Sequence, residues 1–298
     1  MNRNDIYMLL DSLENSLWNG KRILGDITKN KVNSLLKKND IYRNCHQGET
    51  CFILGNGPSL KSETRLKELA NYTVFSVNQF YRSELFDEVR PNYHVMIDPL
   101  FFSLNPDDPA DNDTLSRIKK IAGNEDVKMI FPVDHYDYIK NTIGYSDNHI
   151  YVKARYRMHN NYKHGFNLTK YIPSSLNVVQ TAIYCAIYMG FTQIVVLGCD
   201  MTGIMDNYIR RTPDMNCEKF SHIYEYTVEE KNRMKKVHAS FDNEFMLNGF
   251  YTMFKDYKII KNICDDMEIK IYNASQTTAL DSLPYANLND ILDGLKDG

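Results

Sequence analysis

The sequence predicts an α/β fold: a mainly parallel sheet with helices on both faces, carrying a lid and an N-terminal helical extension. Three observations lead there. Short apolar segments of strand length recur from Glu49 onward, each followed by a turn or a helical segment. One unit, Asn177 to Met189, then Gly190, then Gln193-Ile194-Val195-Val196-Leu197-Gly198, reads as a continuous apolar helix, a glycine stop and a buried strand. Several strands end in polar residues, as expected where a parallel sheet presents its carboxyl edge to a ligand.

Taken in order, residues 1–48 form a helical extension. Ile6, Leu9, Leu10, Leu13 and Leu17, then Val32, Leu35 and Leu36, recur at helical spacing, and Asn4 or Asp5 can cap the first helix. This hairpin reads either as an added layer on the main domain or as an oligomer contact or membrane-surface dock. Lys21, Arg22, Lys29, Lys31, Lys37 and Lys38 gather near its end. The main domain spans 49–298. Its strands are Cys51-Phe52-Ile53-Leu54, Thr73 to Val77, Tyr93 to Ile97, Lys128 to Phe131 and His149 to Val152, with a helix over Glu63 to Leu69. The strand Gln193 to Gly198 ends at Cys199-Asp200 and is expected at the centre of the sheet. Residues 201–243 are polar, aromatic and charged, with no strand pattern, and read as a lid. A helix through Phe250 to Cys264, the strand Ile269 to Tyr272, the turn Asn273-Ala274-Ser275 and a last helix after Tyr285 complete the domain.

Composition excludes several classes. The 298 residues carry 35 Lys and Arg against 38 Asp and Glu, a net charge of −3, without the basic excess of a nucleic-acid binder. No apolar run approaches the roughly 20 residues of a membrane-spanning helix. The start Met1-Asn2-Arg3-Asn4-Asp5 lacks the pattern of a secretory signal, so the expected compartment is the cytoplasm, at the inner membrane face if the basic helical end docks there. The six cysteines include no C-x-x-C pair, and several lie in apolar segments where a reduced thiol packs as a small hydrophobe.

Gly55-Asn56-Gly57-Pro58-Ser59-Leu60, directly after the first strand, is the most informative short segment. Its glycines suit either a tight turn or close backbone approach to a ligand; it lacks the third glycine of a dinucleotide fingerprint and the Gly-Lys-Ser/Thr of a P-loop. With Asn78 and Asp200 at other strand ends it makes a polar set suited to a nucleotide. Pro173-Ser174-Ser175 supplies hydroxyls for a helix cap, a phosphate or a ribose. Asp98 ends an apolar strand and can bind acceptor hydroxyls or Mg²⁺, whereas Asp111-Asn112-Asp113 reads as a solvated loop. A neutral imidazole can take the proton of a hydroxyl nucleophile; His238 is the candidate, His222 its competitor, and His94, inside a strand, is structural. Arg210 and Arg211 beside Tyr208 read as a solvated pair or as charge for a phosphate.

Five segments in order carry a resemblance: Gly55 to Leu60, Ser76-Val77-Asn78-Gln79-Phe80-Tyr81, Ile97-Asp98-Pro99-Leu100-Phe101-Phe102, Ser174-Ser175 with Tyr184 to Phe191, and Leu197-Gly198-Cys199-Asp200. Together they resemble the bacterial sialyltransferases of glycosyltransferase family 42. With Ile271-Tyr272-Asn273-Ala274 the pattern is also similar to the MptE-like group, which contains flagellin glycosyltransferases and an archaeal hydroxymethylpterin diphosphokinase. The resemblance implies a Rossmann-like sheet of a GT-A-like variant. It also implies an inverting, metal-independent transfer of a sialic-acid-like sugar from a CMP-sugar to a cell-surface glycan. The resemblance implies Asn56, Asn78 and Asp200 as nucleotide-binding residues, and Gly57, Ser59, Ser174, Ser175 and Gly198 beside them are expected to share the site. It implies His238 as base, followed by Ala239-Ser240, and Tyr208 at the departing phosphate; Asp98 is a further catalytic candidate from its place at a strand end. Thr202 stands where the family has its first lid tyrosine, and Asp98 where it has Asn. No metal and no cofactor beyond the donor are expected; the partners are the nucleotide sugar and the glycan, with a homo-oligomer or peripheral membrane contact through the extension. Competing readings are a transferase using another nucleotide sugar, a pterin-type diphosphokinase using ATP and Mg²⁺, and a non-catalytic nucleotide-binding protein.

Overall fold

The computed structural model describes residues 9–10, 12–17, 19, 30–203, 222–225, 228 and 242–296. Among them one sheet contains β1 (Thr50–Leu54), β2 (Thr73–Val77), β3 (Tyr93–Val95), β4 (Lys128–Pro132), β5 (Ile150–Tyr156), β6 (Tyr171–Pro173), β7 (Gln193–Leu197) and β8 (Lys270–Asn273). Their order is β6-β5-β4-β3-β2-β1-β7-β8, and every pairing is parallel. From residue 30 onward the α-helices of five or more residues are α1 (Asn30–Lys37), α2 (Leu85–Val89), α3 (Pro109–Ala122), α4 (Val178–Met189), α5 (Asn243–Asp266) and α6 (Leu288–Lys296).

Alternate strand residues enter opposite cores, so the inner strands are mostly apolar on both faces. Cys51, Ile53, Phe75, Val95, Ile194 and Val196 meet Ala182, Ile183 and Ile187 of α4 and Ile259, Ile260 and Ile263 of α5. On the other face, Phe52, Leu54, Val195 and Leu197 meet Leu60, Leu66 and the Leu288, Ile291 and Leu292 stripe of α6. Farther along that face, Met129, Phe131 and Tyr151 pack against Leu115, Ile118 and Ile121 of α3. None of the described helices is long and apolar enough to cross a membrane.

Helix α4 is buried from Val179 to Met189 and capped by Asn177, whose Oδ1 accepts from Val179 N. Its last carbonyls are met by a loop: Asn44 N donates to Tyr188 O (3.2 Å), His46 N to Met189 O (2.9 Å) and Gly48 N to Gly190 O (3.2 Å). The loop is fixed in turn through His46, bonded to Glu49 Oε2 at 2.9 Å and Tyr93 Oη at 2.8 Å, with its ring stacked on Phe191. Residues 30–42 lie against the β5 region. Leu36 is buried, and Asn39 Nδ2 donates to Tyr151 O (2.7 Å) and Leu168 O (2.8 Å).

Several sequence expectations change. The strand 193–198 is second from the sheet edge, not central. Its apolarity comes from β8 beside it and helices above and below. The chain steps outward from β1 to β6 and returns through α4 to β7, so the strand order reverses between β1 and β7. The expected helix at Glu63 is instead a pair of 3₁₀ turns, Pro58–Ser62 and Leu66–Asn71, the second burying Leu66 and Leu69 at a period of three. Strand β6 has only three residues and ends in proline, too short to show alternation. Asp111 and Asp113 lie in α3, not in a loop; Asp111 accepts from Asn105 N and Asp113 pairs with Arg117.

Between the two cores on the α3 and α6 face lies one buried polar pair, Ser76 and His94, register partners on β2 and β3. Ser76 Oγ and His94 Nδ1 are 2.8 Å apart. Burial lowers the His94 pKa from 6.5 to about 4, against a smaller opposing effect of the Asn78 backbone. The unfolded chain takes up this proton below pH 6.5 and the folded protein only near 4. Stability is therefore full above about pH 6.5 and falls as the pH drops toward 4, by about 3 kcal/mol for this group. Urea denaturation at pH 7 and pH 4.5 should show that loss, and His94→Gln should reduce it; an unchanged pH dependence in the variant would remove His94 as its source.

Candidate functional site

Where the strand order of a parallel sheet reverses, the connections leaving the two adjacent strands diverge to opposite faces and open a crevice at the carboxyl edge. Here that crevice lies between β1 and β7. The turn after β1 extends the ladder, Gly55 N donating to Leu197 O (2.8 Å) and Gly57 N to Gly198 O (2.8 Å). Both glycines are required by packing: a Cβ on Gly55 would lie 2.3 Å from Gly198 O, and one on Gly57 would lie 2.5 Å from the Asp200 carboxylate.

Asp200 occupies the space left by Gly57. Its Oδ2 accepts from Ser59 N at 2.9 Å and its Oδ1 from Ser59 Oγ at 2.5 Å, which ties the 3₁₀ turn Pro58–Ser62 to the end of β7. Burial raises the Asp200 pKa and the two Ser59 bonds oppose that rise. The segment after β8 closes the far side: Cys199 N donates to Ser275 Oγ (3.0 Å), Thr278 Oγ1 to Cys199 O (2.9 Å) and Ala279 N to Asp200 O (2.7 Å).

On the near side stand two asparagines. Asn56 Nδ2 donates to Val77 O at 3.2 Å, bridging the ends of β1 and β2, while its Oδ1 is buried with no hydrogen-bond partner among the described residues. Asn78, left-handed at φ 46°, also has a buried, unpartnered Oδ1. Asparagine tolerates that backbone better than most residues. Asp98 follows β3; its Oδ1 accepts from Leu100 N at 3.0 Å, and burial raises its pKa.

Part of the expected lid returns to these turns. Ile223 N donates to Asn56 O at 2.9 Å, and the pKa of the neighbouring His222 is lowered to about 4, chiefly by burial and against the opposing Asn56 backbone. Arg82, four residues after Asn78, donates from Nη1 to Gln79 Oε1 (2.7 Å) and from Nη2 to Glu225 O (2.7 Å), and lies over the Tyr224 ring at 4.9 Å.

Asn56, Gly57, Ser59, Gly198 and Asp200 thus meet directly, and Asn78 joins them through β2. The serines divide. Ser174 N is bonded to Tyr156 O at the end of β5, and the Ser175 hydroxyl pairs with Thr181 Oγ1 at 2.7 Å. The helix cap expected of the serines is made by Asn177, whose Nδ2 reaches Met201 Sδ at 3.2 Å and so places the start of α4 beside the residue after Asp200. Tyr208, His238, Arg210 and Arg211 lie outside the described residues. Arg82 was not singled out from the sequence; its signal was a cation closing the turn that begins with Asn78.

Gly57→Ala should destabilise the protein by about 1–3 kcal/mol, because the added methyl displaces a buried, doubly bonded carboxylate. Chemical denaturation measures it, and unchanged stability would contradict the close approach.

No curated protein sequence matches the chain. Among solved structures it is similar to the sialyltransferase CstII from Campylobacter jejuni in complex with CMP-3FNeuAc, at 17% identity, TM-score 0.43 and coverage of 81% of this chain and 88% of that one. The same enzyme with cytidine-5′-monophosphate aligns at 16% identity, TM-score 0.43, 82% and 86% coverage. Sialyltransferase CST-II with a trisaccharide acceptor and CMP aligns at 16%, TM-score 0.45, 81% and 88%. The model of the family described as 6-hydroxymethylpterin diphosphokinase MptE-like matches residues 21–204, more than half of the chain, and the chain belongs to that MptE-like family.

Proposed function

We propose that the chain is a glycosyltransferase that moves a sugar from a nucleotide-activated donor to a glycan, the first choice of donor being a CMP-activated sialic-acid-like sugar. The observation that carries this reading is the pair of buried amide oxygens, Asn56 Oδ1 and Asn78 Oδ1, on adjacent strand ends, neither with a partner among the described residues. A buried acceptor without a partner is costly, and a ligand that brings N–H or O–H groups relieves both at once. A nucleoside offers such donors in its exocyclic amine and ribose hydroxyls. Gly57, Ser59, Gly198 and Asp200 hold the turn that aims Asn56, and Ser174 and Ser175 flank the start of α4.

For the transfer, the acceptor hydroxyl must lose its proton as the bond from sugar to phosphate breaks and the nucleotide leaves. A histidine serves as base. The sequence resemblance supports His238, and the position of His222 against Asn56 supports that ring instead. Tyr208 donates to the departing phosphate, and Asp98 accepts hydrogen bonds from acceptor hydroxyls. Inversion follows from direct displacement, and no step in this scheme calls for a metal. Residues 30–48 pack on the sheet and on the end of α4, so a contact with a partner copy or with the inner face of the membrane is proposed for residues 1–29.

A second reading is favoured by the description of the family and by Asp98. In a diphosphokinase, Asp98 would hold Mg²⁺ on the phosphates of ATP through Oδ2, which makes no bond to the described residues. Calorimetric titration of CMP in EDTA separates the two: binding without metal is expected, and binding only after Mg²⁺ is added would favour the kinase. The base is tested by substitution. His222→Ala or His238→Ala, whichever removes the base, should lower kcat by roughly 10²- to 10⁴-fold with CMP affinity nearly unchanged. Near-normal turnover in both variants would refute a histidine base.

A further inference from the structure

We infer that Arg82 is a positioning residue of this site: its guanidinium clamps the segment 222–225 onto the turns after β1 and β2 and thereby fixes the His222 ring beside Asn56. The inference rests on the proposed reading for its catalytic meaning, but the clamp itself is argued from geometry. Arg82 belongs to the 3₁₀ turn Asn78–Arg82, which opens with Asn78, whose Oδ1 has no partner among the described residues. From there its contacts with the described residues include three in different directions. Nη1 holds Gln79 Oε1, which orients the fork; Nη2 holds the Glu225 carbonyl; and the guanidinium plane covers the Tyr224 ring. A planar, delocalised cation can satisfy all three together, whereas a lysine ammonium can satisfy one or two and cannot stack.

The clamped segment has its other attachment at Asn56, through Ile223 N to Asn56 O, and Ile223 packs on the apolar cluster around Leu60 and Leu66. Both anchors follow His222 within three residues, and the ring itself is bonded to the Asn56 backbone, so its position is set from the segment 223–225 and from Asn56. The ring's bond to the Asn56 backbone favours a proton on the bonded nitrogen, which leaves the other nitrogen as an acceptor. The same constellation brings the His222 ring and the amide of Asn56 to one strand end, so the residue that binds the ligand also positions the ring.

The test is carried out on the full chain. In wild-type protein at pH 7 the ¹⁵N signals of the His222 ring should report one neutral tautomer. Arg82→Ala should move them toward the average of the two tautomers, and Arg82→Lys should recover the wild-type signals only partly. Tyr224 is unsuited as a variant because its ring lies 5.2 Å from the His222 ring. If Arg82→Ala does not fold, Arg82→Lys decides, and fully wild-type ring signals in the variants that fold would overturn the clamp. Failure of the wild-type protein to bind CMP would sink the proposed reading without moving these signals, so the two ideas fail separately. Where CMP binds, Arg82→Ala should lower turnover about tenfold while CMP affinity stays within about twofold; a loss confined to CMP affinity would show that Arg82 serves the nucleotide and not the histidine.

Discussion

The contact on which the rest of the site depends is the Asp200 carboxylate seated on Ser59 in the space a Gly57 side chain would fill. Removing a carboxylate from water is costly, and the cost is offset here by a backbone N–H and a hydroxyl donated by one residue. The bond joins the loop leaving β1 to the loop leaving β7, the two lips of the crevice at which the strand order reverses. Because the backbones also touch at Gly55 and Gly198, neither lip can move without breaking the ladder that continues from β1 and β7. Asn56 sits between the two fixed glycines. Its direction is therefore set by the fold, and its amide oxygen is left open.

Legibility in the sequence follows from the same physics. Strands buried on both faces produce unbroken apolar runs, so Cys51 to Leu54, Thr73 to Val77 and Ile194 to Leu197 could be read directly. Burial does not encode order, however. The run at Ile194 says that the strand is covered, while its place beside β1 comes from the crossover through α4. Strand β6 has no pattern to read, and β5 continues past Val152 through Lys153, which is buried and paired with Asp134, and Arg155, so the apolar run ends before the strand does. The polar residues at strand ends, Asn56, Asn78, Asp98 and Asp200, were legible as a set because parallel strands deliver their carboxyl ends to one edge. Their division of labour was not. Spacing cannot distinguish a carboxylate occupied by a serine 141 residues away from an amide left without a partner. The contact of Arg82 with Glu225 spans 143 residues and leaves no trace in local sequence.

The electrostatic setting of the two asparagines gives these contacts a chemical sense. His94 lies buried below the Asn78 turn and His222 lies against Asn56, and burial lowers both pKa values to about 4. At neutral pH both rings are uncharged, and the Arg82 cation beside them is spread over a carbonyl, an amide and an aromatic ring. The two buried amide oxygens thus lie near uncharged rings, while the Asp200 carboxylate beside Gly57 is held by Ser59; a hydrogen bond to a buried amide in such a setting is strong. An imidazole with a pKa near 4 is a weak proton acceptor, which would count against His222 if that value were fixed. It is not fixed, because a negative charge brought close to the ring favours its protonated form and raises the pKa. In the proposed transfer the incoming donor carries that charge on its phosphate. On the proposed reading, a donor phosphate bound close to the ring would make it more basic, and proton removal would then be coupled to the presence of the group that must leave.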